Sequence, residues 1–223
     1  RSVYSVWPDS FGYDWSLDTN RRNTISLRSD LYLYFYFHGL SLLDNHGSFC
    51  FVTSNSWLDV DYGKTLQEFL LTRGEIKLII DNESYRSFER AEVNTIIALF
   101  SKPRDSSTNL PGKQDCIARF VMVKVPFEQL LSPIIWEEID SSKDRLSRSE
   151  FRVLPRKQSI LFDNGYDASR SRFYGDKWGG KYLRAQDIYW KIVEKAGNKL
   201  ISIEPALGNI TTVSWSRQGN NDK

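Results

Sequence analysis

Residues 29–43 read SDLYLYFYFHGLSLL, rings and aliphatics almost throughout, interrupted by His38, Gly39 and Ser41. From Leu31 to Phe37, Leu and Phe alternate with Tyr, residue types at home in a strand. Yet the stretch carries no turn signal over its whole length, which is long for a strand and ordinary for a helix. Ser29 or Asp30 can cap such a helix, and DNHG at 44–47 closes it.

The segments that follow settle the reading. SFCFVTS (48–54) has the β-branched and aromatic content of a buried strand, and YGKTLQEFLLTRG (62–74) that of an amphipathic helix. In the latter Leu66, Phe69 and Leu70 share a face and Gly74 is the stop. IKLIID (76–81) and NTIIALFSKP (94–103) are two further buried strands. Helices alternating with strands at this spacing predict crossovers and a mostly parallel sheet covered on both faces. A covered sheet accommodates an unusually apolar helix, so 29–43 is expected to be a helix wedged against it. The link NESYRSFERAEV (82–93) is too short for a crossover helix. The strands it joins should therefore pair antiparallel or be connected by an irregular loop.

Beyond a polar loop at 104–115, CIARFVMVKVP (116–126) reads as an added edge strand and PFEQLLSPIIWEEID (126–140) as a short helix. Residues 141–180 are charged, glycine-containing and irregular in pattern. RAQDIYWKIVEKAG (184–197) predicts an amphipathic helix with Ile188, Ile192 and Val193 inward and Gly197 as its stop. Residues 1–28 form a polar, ring-studded loop that suggests a chain opening in mid-fold. The last stretch, from Lys199, looks like the start of another domain. Three regions are expected: 1–140, a basic linker and helix at 141–199, and 200–223.

With 40% hydrophobic and 26% charged residues, the 223-residue chain has the composition of a globular protein. Its longest apolar run, Leu31 to Phe37, is far short of a membrane span, and no secretory signal is visible, so no membrane partner is expected. Cys50 and Cys116 lie in apolar, strand-like settings without metal-ligand spacing and read as two buried thiols of a reducing cytoplasm. His38 and His46 have no carboxylate or cysteine at ligand spacing, which points away from a metal site. Neither a Ser-His-Asp nor a Cys-His arrangement can be assembled, and no Asp-x(n)-Glu-x-Lys nuclease signature is present.

The net charge of +2 is unevenly spread. Residues 1–100 hold 9 basic against 13 acidic side chains, and residues 101–223 hold 21 against 15. Most of the basic excess falls in 143–191, where it is interleaved with rings. Such a stretch suits a phosphate backbone, with Arg170, Arg172 and Lys181 as candidate contacts. A solvated loop face would read the same way. Thr53, Asn55 and Trp57 lie at and just beyond the carboxyl end of SFCFVTS, the edge where open α/β sheets gather ligands. They could edge a pocket, or simply build a strand-to-helix turn.

The stretch SDLYLYFYFHGLSLLDNHGSFCFVTSNSWLDVDYGKTLQEFLL resembles the adenine-specific DNA methyltransferases of type II restriction-modification systems. The likeness is strongest to the subgroup in which methylase and often nuclease share one polypeptide. It continues through IKLIIDNESYRSFERAEVNTIIALFSKP and returns at KYLRAQDIYWKIVEK, about half of the chain in all. It implies the carboxyl-terminal half of a Rossmann-like S-adenosylmethionine-dependent methyltransferase fold, a mixed sheet with an antiparallel terminal strand, followed by a mostly irregular and helical extension. The implied cofactor is S-adenosyl-L-methionine and the implied partner double-stranded DNA, with a nuclease domain or subunit in the same system.

Such enzymes swing the target adenine out of the duplex, and stacking on a ring returns roughly 1–3 kcal/mol per base. The ring matching that of the family is Phe88, in a polar loop outside any apolar period; Tyr85 is the second candidate, and covering the strand ends is the alternative role. Phe35 matches the aromatic near the cofactor's adenine, with core packing the weightier alternative.

Two departures matter. The family's catalytic motif, an Asn or Asp, two prolines and an aromatic, is absent, since no two prolines are adjacent. The acidic and glycine-rich elements for the cofactor are missing as well. The expectation is therefore a middle piece of a larger enzyme, inactive alone, with SWSRQGNND resembling the start of a target-recognition domain. A non-catalytic DNA-binding or assembly module on a degenerate methyltransferase fold is the other reading.

Overall fold

The computed structural model describes residues 25–26, 28–45, 47–83, 94–102 and 116–199. The decisive segment is a helix, α1 (Tyr32–Leu42). It buries Leu33, Tyr36, Phe37 and Leu40, spaced three and four apart, and leaves Leu31, Phe35 and Leu42 exposed on the other side. The segment is greasy all round but buried on one face only.

Six strands follow in one sheet of order β1-β3-β2-β4-β6-β5. They are β1 (Ser48–Ser54), β2 (Glu75–Asn82), β3 (Thr95–Ser101), β4 (Ile117–Val123), β5 (Leu146–Ser147) and β6 (Phe151–Lys157). The helices between them are α2 (Gly63–Arg73) and α3 (Pro133–Ser141), and α4 (Gln158–Gly165) follows β6. The expected antiparallel pairing of β2 with β3 is present, as is a mixed sheet. Parallel pairing is confined to β2 with β4, so the expectation of a mostly parallel sheet is corrected. Every other neighbour in the sheet is antiparallel: β3 to both β1 and β2, and β6 to both β4 and β5.

Three further readings change. The segment read as an added edge strand, β4, is interior, paired with β2 on one side and β6 on the other. The stretch 141–180, read as irregular, contains β5, β6, α4 and a small hairpin of β7 (Tyr166–Asp167) and β8 (Arg172–Phe173). β1, read as buried, pairs only with β3 and alternates between exposed and half-buried positions before buried Thr53. Cys50 is accordingly exposed and Cys116 partly so, in place of two buried thiols.

Successive residues of a strand face opposite sides, and β4 shows both sides covered. Val121 and Val123 join Ile80, Leu130, Ile139, Phe151 and Val153 in one apolar cluster, against which Ile135 and Trp136 of α3 pack. On the other face Phe120 meets Trp178 edge-on at 5.8 Å, and Trp178 meets Trp57 at the same distance. Tyr36 of α1 lies 5.7 Å from both Trp57 and Phe100, bringing the helix into that layer. Gln158, fully buried, accepts from the Ile76 amide at 2.6 Å and donates to the Gly74 carbonyl at 3.2 Å. One carboxamide thus stands in for a missing strand partner, and leaving those backbone groups bare would be costly.

Contacts divide the chain into two units, one ending at Arg184 and one beginning at Ala185. The second contains α5 (Asp187–Ala196). There Ile188 and Ile192 are exposed, so the inward placement expected for them is also corrected. No helix among the described residues is long and apolar enough to cross a membrane.

Candidate functional site

β1, β2 and β4 run in the same direction, because β1 and β2 are each antiparallel to β3 and β4 is parallel to β2. Their carboxyl ends therefore share one edge of the sheet with the amino ends of β3 and β6. A cleft of about 290 Å³ opens there. Asn55 follows β1, Asp81 to Glu83 end β2, Met122 comes from β4, Asn94 precedes β3, Arg152 sits in β6, and Arg184 completes the wall. The lining is mostly polar: three carboxamides, two carboxylates and two guanidinium groups. Strand ends explain the composition, since side chains beyond the last ladder bond reach water or a ligand instead of a core.

Arg184 organises one side. Its Nη1 donates to Asp59 Oδ2 at 2.7 Å and its Nη2 to Asp81 Oδ2 at 3.2 Å, tying the ends of β1 and β2 to the segment Gly179–Arg184. The Gly180 amide donates to the other Asp59 oxygen at 3.0 Å. Asp81 is buried, and Arg184 is the cation that makes a carboxylate tolerable there. Across the cleft, Arg152 is buried and donates from Nη2 to the Leu183 carbonyl at 2.6 Å. The Lys124 ammonium has its pKa lowered, first by burial and then by the positive charge of Arg152.

Of the described residues singled out from sequence, Asn55 alone lines this cleft. Its amide donates to the Asn94 carbonyl at 3.0 Å. Thr53 turns to α1, where its hydroxyl meets the Tyr36 hydroxyl at 2.7 Å. Burial pushes the Tyr36 phenol far above its usual range. Trp57 is fully buried in the aromatic layer. Phe35 is about half exposed and touches Phe51 edge-on at 6.4 Å, which places it on the open stripe of α1 and not in the core. Phe88 and Tyr85 lie outside the described residues. The described residues on either side of them in the chain, Glu83 and Asn94, both line the cleft.

The basic candidates separate. Arg170 and Arg172 place their guanidinium carbons 5.8 and 5.7 Å from the centre of the exposed Tyr174 ring, beside the β7–β8 hairpin. Lys181 is engaged with Asp176 Oδ2 at 2.9 Å, a carboxylate that also accepts from the Tyr182 hydroxyl. Burial, and then the Asp176 charge, drive the Tyr182 phenol upward. Sequence reading missed Asp81, Asn82, Glu83, Asn94, Arg152 and Arg184. For the triplet Asp81–Glu83 a signal existed, polar residues ending an apolar strand as in TSN after β1. Arg152 had none, because its strand was not recognised. Among the described residues no three His, Cys, Asp or Glu side chains gather as a metal site.

Residues 9–88 match the model of the Eco57I restriction-modification methylase family. No curated protein matches the chain by sequence. Among solved structures, the type IIG restriction endonuclease BpuSI is 14% identical, with a TM-score of 0.49 over 78% of this chain and 19% of that one. The methyltransferase subunit of a type I restriction-modification system from Streptococcus thermophilus is 16% identical, with a TM-score of 0.49 over 78% of this chain and 35% of that one. The M protein of the type I restriction enzyme EcoKI is 14% identical, with a TM-score of 0.42 over 85% of this chain and 47% of that one. The chain thus spans less than half of each solved relative named here.

Proposed function

We propose that the chain is part of an adenine-specific DNA methyltransferase of a restriction-modification system, which transfers the methyl group of S-adenosylmethionine to the exocyclic amino group of adenine in duplex DNA. The observation that carries this reading is the family match over residues 9–88, which runs through α1, β1, β2 and the Phe88 segment. The polar cleft supports it, because both ends of that segment stand on the cleft rim. Phe88 stacks on the everted adenine, and Asn55 offers a carboxamide to its edge. Arg170 and Arg172, spaced about the Tyr174 ring, contact DNA phosphates, and the protein works in the cytoplasm, beside a nuclease domain or subunit.

The cofactor supplies an activated methyl group when bound. Among the described residues no glycine-rich turn joins a strand of the sheet to a helix, so they form no cradle for its ribose and methionine. The 223-residue chain by itself is expected not to methylate DNA.

The test is radiolabelled methyl incorporation into duplex DNA by the whole protein that contains this chain. Wild type should label adenine, and Phe88→Ala should lower turnover about tenfold or more while its melting temperature stays within a few degrees, as expected for loss of one stacking ring. No label on adenine in wild type would overturn the enzymatic reading. Unchanged turnover in the variant would remove Phe88 from its role.

A further inference from the structure

Among the described residues, none pairs a carboxylate with the Arg152 guanidinium. The residue is 8% exposed, lies second in β6, and reaches the cleft wall. Its hydrogen bond goes to a neutral acceptor, the Leu183 carbonyl. The buried carboxylate of the cleft, Asp81, is already held by Arg184, which is also paired with Asp59. Glu83 is exposed at the rim, and among the described residues Arg152 forms no ion pair. A desolvated cation without a counter-charge is unfavourable, and a site that keeps one invites an anion. The lowered pKa of Lys124, caused in part by Arg152, agrees with a positive field on this side of the cleft.

The form of the group narrows the choice. A guanidinium is a planar fork that meets phosphate oxygens in pairs; one arm of this fork is fixed by Leu183, and the residue lines the cleft. Around it stand the carboxamides of Asn55 and Asn94, each offering a donor and an acceptor as base edges require. A cleft of about 290 Å³ is at the small end of ligand sites and has room for one nucleotide.

We propose that the cleft seats one nucleotide of a DNA strand, with Arg152 on its phosphodiester and Asn55 and Asn94 on the edge of its base. This rests on the reading of the chain as part of a DNA-acting enzyme and names the group that enters.

The probe is the dinucleotide d(ApA), which has a single phosphodiester, set against its uncharged methylphosphonate analogue, both titrated into the whole chain without cofactor. The side-chain Nε–Hε resonance of Arg152 should shift with d(ApA) and stay in place with the analogue, which should bind about tenfold more weakly. Arg152→Gln should lose the same tenfold for d(ApA) and no longer tell the two ligands apart, and Arg152→Lys should recover part of the difference. Should the glutamine variant fail to fold, the two titrations of wild type still decide. Equal affinity for both dinucleotides, or binding without movement of the Arg152 resonance, would overturn the proposal. Inorganic phosphate competing as well as d(ApA) would make this a plain anion site and would overturn it too. Methyl transfer is a separate assay, so a protein that binds d(ApA) through Arg152 yet labels no adenine would sink the enzymatic reading and leave this one standing.

Discussion

β1 and β6 are strands of equal length in one sheet, and each looks like the other's position. SFCFVTS has no charge and two phenylalanines, yet it lies at the sheet's margin, pairing with β3 alone, with Ser48, Cys50 and Val52 exposed. FRVLPRK has three charges and a proline, yet its first five residues are buried. The difference is made by neighbours. β6 pairs along its whole length with β4 and is covered by the cluster under α3, while Arg152 escapes into the cleft. Pro155 is tolerated because β5 reaches only Arg152 and Val153, so no second strand asks for its missing amide. Strand composition reports what a residue can bury, and position in the sheet decides what it does bury.

The largest effect should come from the strand that looks dispensable. Phe151→Ala, emptying the cluster shared with Val121, Val153 and Ile139, should cost about 3–5 kcal/mol in denaturant unfolding. A loss below about 1 kcal/mol would make β6 the peripheral strand after all.

On the β1 side, Thr53 is the one buried residue, and its bond to Tyr36 fastens the strand to α1. Tyr36→Phe should cost about 1–2 kcal/mol at neutral pH. The native phenol has a pKa raised above its ordinary 10.0 by burial, so its contribution is complete below 10.0 and is lost progressively as pH rises from there toward the raised native value. Melting temperatures of wild type should therefore fall above pH 10.0, more steeply than those of the variant, and parallel curves would contradict the burial of this hydroxyl.

The smallest effect belongs to exposed Val52. Val52→Thr should change stability by about 0.5 kcal/mol or less, and a loss several times larger would mean that this face of β1 is covered in solution.

Sequence alone reached α1, β1, α2, β2 and β3 in the right order because each announces itself locally, by length, by period or by a closing glycine. It failed at β4 and β6 for a different reason. Nothing in IARFVMV tells an interior strand from an added edge, and FRVLPRK hides its core residues behind Arg152 and Pro155. The candidate site divides in the same way. Asn55 was visible as a polar residue after an apolar strand. Asp81 was visible by the same rule and passed over. Arg152 and Arg184 became visible only when β6 and the segment Gly179–Arg184 were set beside β2.

What the sequence determined by itself was the set of elements, the antiparallel return of β3 onto β2, and a resemblance to methyltransferases carried by contiguous residues. What tertiary structure alone decided was the order of strands, which of two aromatic faces is wet, and the meeting of Asn55, Asp81, Asn94, Arg152 and Arg184 in one cleft. The physical reason is range. Helix and strand periods are written in neighbours a few positions apart, whereas a sheet edge gathers side chains from strands whose pairing depends on the burial gained by the whole layer.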